Sequence, residues 1–164
     1  VMEGGVLQQF DRPSLIKERP ANLFTGTFVG EPPMNVFKVK AGATGAKLSL
    51  VMSDGTELAY DRKAFSSQVC DAVISRGSVT VGIRPYSVRR AKSGAKAEVI
   101  ANQWLGDQTH IAASLGGESL VLVEHDRARL SRGEVIAVEL SPDALHFFDS
   151  ETGAAISHGR EMAG

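Results

Sequence analysis

From Met34 onward, apolar residues recur at every second position in short runs, and nearly every run ends at a Gly, Pro or Asp. Leu48, Leu50 and Met52 form one such run, Val79, Val81 and Ile83 a second, and Ala97, Val99 and Ala101 a third. Ile136, Val138 and Leu140 form a fourth. A period of two puts alternate side chains on one face of a strand, so each run predicts a half-buried β-strand. Ser53-Asp54-Gly55 and Gly116-Gly117 sit between runs and predict hairpin turns. A further short strand is expected at His146-Phe147-Phe148-Asp149, after a Ser141-Pro142-Asp143 turn. One helix is expected inside this β pattern, over 61–76, with Phe65, Val69, Ala72 and Val73 as its apolar stripe and Gly77 as its stop. Short strands, frequent turns and one helix predict a small closed or half-open barrel.

The first thirty residues have a different texture. Val1 to Gln8 reads as two short strands about Gly4-Gly5, and a chain that opens inside a hairpin is expected to continue upstream. Asp11 is expected to cap a short helix with Pro13 in its first turn, and Arg19-Pro20 to end it. Residues 21–28 predict a second short helix with Leu23, Phe24 and Phe28 on one side. Gly30-Glu31-Pro32-Pro33 then marks a boundary.

These landmarks resemble the C-terminal part of the ATP-binding subunit of maltose- or glycerol-phosphate-type ABC importers. Gly5-Val6-Leu7-Gln8, Pro13, Pro20-Ala21-Asn22, Phe24, Phe28, Gly30, Pro32, Met34 and Asn35 match the family's linking segment in order and spacing. Val81-Gly82-Ile83-Arg84-Pro85 resembles its G-I-R-P-E motif, Trp104-Leu105-Gly106 its E-x-L-G, and His146-Phe147-Phe148-Asp149 with Thr152-Gly153 its closing motif. Lys17 stands where the family has tyrosine, and Tyr86 and Gln103 stand where it has glutamate.

The resemblance implies a mainly β, OB-like (TOBE) barrel with one or two short helices over 31–164, preceded by a helical remnant of an ATPase domain over 1–30. It implies a regulatory and dimerisation role, with a second copy, permease subunits, and a regulatory protein or small effector as partners. It places the whole protein in the cytoplasm at the inner membrane face, with ATP and Mg in the parent ATPase and no cofactor in this chain. The fold landmarks are Gly30, Pro32, Met34, Asn35, Gly82, Pro85, Gly106 and Gly153.

No Gly-Lys pair occurs, so a phosphate-cradling P-loop is missing and the chain by itself is not expected to act on ATP. Ser114-Leu115-Gly116-Gly117 superficially resembles an ABC signature, but its order and its place between strands favour a turn. No histidine has a second His or Cys at metal-site spacing. Cys70, the one cysteine, is expected to be a small core residue. With 18 basic and 19 acidic residues and 6% aromatics, the basic, aromatic face of a nucleic-acid binder is not expected.

Five residues are candidate regulatory or dimer contacts: Arg84, Trp104, Phe147, Phe148 and Asp149. Arg84 is expected in an intrachain ion pair or on a partner or anion. Trp104 is expected in the core or a subunit seam. Phe147 and Phe148 must point to opposite faces of one strand, which predicts one ring inward and the other outward or in a seam. The alternative reading is a free-standing barrel that takes a small anion or sugar.

Overall fold

A computed structural model describes residues 1–164. The chain opens with a two-stranded hairpin, β1 (Met2–Glu3) and β2 (Val6–Leu7), and two short helices, α1 (Pro13–Glu18) and α2 (Leu23–Phe28). A seven-stranded sheet is built from β3 (Asn35–Thr44), β4 (Lys47–Val51), β5 (Glu57–Asp61) and, after helix α3 (Ser67–Arg76), β6 (Ser78–Ile83). A five-stranded sheet then takes β7 (Val88–Ala91), β8 (Ala95–Trp104), β9 (Thr109–Leu115), β10 (Glu118–Glu124) and β11 (Val135–Leu140). The chain returns to the first sheet with β12 (Leu145–Asp149), β13 (Ala155–His158) and β14 (Glu161–Met162). The strand orders are β14-β13-β12-β6-β3-β4-β5 and β10-β9-β8-β11-β7, with every neighbouring pair antiparallel. The architecture is mainly β and OB-like.

One apolar cluster fills the interior. Phe37, Val81 and Phe147 from the larger sheet meet Val99, Ile111 and Leu122 from the smaller, and α3 adds Val69, Cys70 and Val73. Cys70 is buried, as its position predicts. Asn35 joins the sheets where no ladder does: its side chain donates to the Val121 carbonyl (2.8 Å) and accepts from the Val121 N–H (2.7 Å).

Three local expectations are corrected. The helix begins at Ser67, because Ser66 caps it by accepting from the Val69 N–H, while Asp61 ends β5 and caps a separate 3₁₀ turn over Arg62–Ala64. Asp11 does not cap α1. Arg12 holds the cap position without a side-chain bond, and the Asp11 carboxylate accepts from the Arg12 N–H instead. Finally, β6 is buried on both faces from Val79 to Ile83 rather than on one, because it is a central strand roofed by the N-terminal helices.

Candidate functional site

The roof over β6 and β12 brings most of the singled-out residues together. Thr80 and Gly82 of β6 lie opposite Phe148 and His146 of β12, and all face away from the main cluster. Gly82 has no side chain because none fits: a Cβ there would overlap Met34 Sδ and come within 3.1 Å of the Phe148 ring. A Cβ on Gly26 of α2 would stand 3.4 Å from both the same sulfur and the same ring. Met34 and Phe148 are buried, yet neither belongs to the main cluster. They form a small second apolar contact between helix and sheet.

Phe147 and Phe148 do point to opposite faces, but the outward ring is corrected. Phe148 is 0% exposed, because α2 of the same chain covers it.

Arg84 follows β6 and turns its guanidinium under the roof. It donates to the carbonyls of Lys17 (2.9 Å), Gly26 (2.8 Å) and Val29. Those carbonyls lie at the C-terminal ends of α1 and α2, where helices leave acceptors unpaired and carry partial negative charge. One planar fork therefore ties both helices to the sheet. The ion pair expected for Arg84 is corrected: it has no carboxylate partner. Gly30 (φ 119°) sits against this group, and a Cβ on it would be 3.0 Å from an Arg84 terminal nitrogen. Burial lowers the Arg84 pKa, and its Nε has no partner, nor has Thr25 Oγ1 nearby.

Main-chain bonds complete the attachment. The Leu23 N–H donates to the Gly153 carbonyl and the Ala155 N–H to the Ala21 carbonyl, while Asn22 and Ala154 form an isolated bridge. Asp149 shapes the turn that offers these groups. Its carboxylate accepts from the N–H groups of Thr152 and Glu151 and from the Thr152 hydroxyl, and it pairs with Arg76 at 3.2 Å. The Thr152 N–H, above all, holds this carboxyl below its ordinary pKa.

Beside Arg84 stand two histidines that sequence reading did not link. His146 and His158 lie opposite each other across β12 and β13, and their Nδ1 atoms are 2.8 Å apart. Burial first, then His158 and Arg84, pushes His146 down to about 3. Burial and then Arg19 push His158 down to about 4. The signal was present: a hairpin centred on Thr152 puts position 158 opposite 146. Two departures from the family pattern also meet here, the Lys17 ammonium lying 5.9 Å from the Tyr86 ring centroid.

Trp104 and Leu105 lie elsewhere, at the tip of the β8–β9 hairpin, 37% and 46% exposed. The core position considered for Trp104 is therefore corrected. Gly106 (φ 103°) makes the turn there. Pro85 is buried at the start of a 3₁₀ turn, and Pro32 follows a cis peptide bond. No group of three His, Cys, Asp or Glu side chains could hold a metal ion, and no helix is long and apolar enough to cross a membrane.

Residues 81–148, from the Gly82-Ile83-Arg84-Pro85 strand to the Phe148 ring, match the TOBE domain family. That stretch of the chain is similar to TOBE domains. It is 32% identical over 157 residues to an ABC transporter ATP-binding protein, y4oS, of Sinorhizobium fredii, covering 96% of this chain and 40% of that protein. It is 29% identical to the sn-glycerol-3-phosphate import ATP-binding protein UgpC of Chromobacterium violaceum, covering 96% and 41%. It is 31% identical to the UgpC of Cupriavidus pinatubonensis, covering 95% and 44%. The chain thus spans about 40% of the length of these relatives. Among solved structures, the cytoplasmic molybdate-binding protein ModG shares the fold (TM-score 0.52, 16% identity, 69% of this chain and 94% of that one). The TOBE match spans both Arg84 and Phe148, the sheet side of the roofed seam.

Proposed function

We propose that the chain is the regulatory and dimerisation module of the ATP-binding subunit of an ABC importer for a sugar or glycerol phosphate. The observation that carries this reading is the likeness of 95–96% of the chain to ABC ATP-binding proteins, two of them described as importing sn-glycerol-3-phosphate. In this reading residues 1–30 end the nucleotide-binding domain and residues 31–164 form the module. ATP and Mg²⁺ belong to the preceding domain, and no residue of this chain is assigned to either. The working subunit sits at the cytoplasmic face of the membrane against its permease partners. A second copy, and a regulatory protein or small effector, engage the barrel. Arg84 and the Asp149 turn transmit position between the nucleotide-binding domain and the barrel by holding the helices to the sheet. Trp104 and Leu105 are the exposed apolar pair available to a partner.

The test begins with the coding sequence upstream of Val1, which should contain a P-loop and an L-S-G-G-Q signature. The subunit is then prepared with and without residues 31–164. A dimer that persists without ATP only when the module is present supports the reading, and equal masses in solution end the dimerisation claim. The second reading, a barrel that takes a small anion, has only the fold shared with a molybdate-binding protein behind it. Saturable uptake of molybdate or phosphate in calorimetric titration would favour it.

A further inference from the structure

Two titratable groups lie beneath the helical segment: His146 shares the roofed face with Gly82 and Phe148, and His158 lines a cleft with Leu15 and Arg19. His146 and His158 share a 2.8 Å Nδ1–Nδ1 contact, so one nitrogen donates and the other accepts. A proton on the accepting nitrogen removes the bond. A proton on an outer ring nitrogen makes a cation beside groups already positive.

On the His146 side that group is Arg84, whose partners are carbonyls and not carboxylates. On the His158 side it is Arg19 of the α1 end, which reaches Glu161 (3.3 Å) and the Met162 carbonyl. The carboxylates facing the pair are few. Glu161 on β14 is engaged by Arg19, Arg160 beside it is engaged by Asp143, and Asp11 lines the cleft of about 410 Å³ that His158 shares with Gln9, Leu15 and Arg19. The remaining cation, Lys17, lies over the Tyr86 ring. The Phe148 ring, 6.3 Å from His146, offers an added charge only weak attraction and no hydrogen bond.

We propose that the His146–His158 pair is an acid-operated latch: while it is neutral, residues 13–29 stay clamped on β12 and β13, and when it takes up a proton that segment lifts while the barrel stays folded.

The direction follows from proton linkage. Clamped, the two rings titrate at about 3 and about 4, and lifted they return towards the ordinary histidine value of about 6.5. The lifted state therefore binds more protons between those values. Clamping is complete above about pH 6.5 and is lost progressively as pH falls through the window below it.

Amide hydrogen exchange of the 164-residue chain at pH 7 and pH 5, expressed as protection against an unstructured peptide at the same pH, tests this. Amides in 15–19 and 25–29 should lose protection about tenfold or more, while those of β8 and β9 keep theirs. His146→Asn and His158→Asn place an amide near the former Nδ1 but cannot ionise in this range, so each should flatten the response. A ring titration followed by NMR on the unaltered chain should show midpoints that coincide with the loss of protection. Unchanged segment protection, an equal loss in β8 and β9, an undiminished response in both variants, or ring titration without a change in exchange would each overturn the latch.

Discussion

Phe147 and Phe148 are neighbours in one strand and both are fully buried, yet they are held in different ways. Phe147 enters the cluster shared by both sheets and α3, edge-on to Phe65 with ring centroids 5.8 Å apart. Phe148 lies under α2 in a seam where directional bonds do most of the holding: three carbonyls on Arg84 and two main-chain bonds, with a histidine pair beneath. The interior contact is non-directional and fails only when the barrel opens. The seam includes two buried polar atoms without partners, Arg84 Nε and Thr25 Oγ1, and in the latch proposed above it opens while the barrel stays folded. The same burial fraction thus conceals two kinds of attachment, one belonging to the fold and one to a movable joint.

Substitutions should separate the two. Phe147→Ala should have the largest effect, about 3–5 kcal/mol of whole-barrel stability in denaturant unfolding, because it leaves a cavity in the shared cluster. An effect limited to the helical segment would dissolve the distinction. Arg84→Met should cost about 2–3 kcal/mol by unpairing buried carbonyls, and the loss should fall on exchange protection within 13–29. Arg84→Lys should restore little of it, since one ammonium cannot span the three carbonyls as a planar fork does. The smallest effect is expected for Arg90→Gln on the barrel surface. Its two-pronged contact with Glu124 is about 40% exposed on the arginine side, so the change in unfolding free energy should stay below about 1 kcal/mol.

How much of this was legible varies with the physics involved. Alternating residues such as Ile136, Val138 and Leu140 declare their strand, because period two is local. The Gly116-Gly117 turn is equally plain, its φ values of 59° and 79° being open to glycine at no cost. Burial of the second face of β6 was not legible, because its cover comes from residues some fifty positions away. Arg84 was flagged, but its partners are main-chain carbonyls, which have no signature in a sequence. The start of α3 was read six residues early because the apolar stripe runs back through Phe65, whereas the Ser66 hydroxyl decides the first turn. For the candidate site, the Gly, Pro and Asn landmarks carried no sign of what each touches. Gly30 and Gly82 are now seen to clear space for Arg84 and Met34.

Asn35 has a bearing on how such a chain can vary. Its amide addresses only the main-chain N–H and C=O of residue 121. Closure of the two sheets at that point is therefore blind to which side chain stands there. Position 121 is free to drift, or to be adapted to whatever the outer surface meets, while position 35 is not. A single side-chain amide can in this way keep a barrel shut through extensive turnover of the strand it grips.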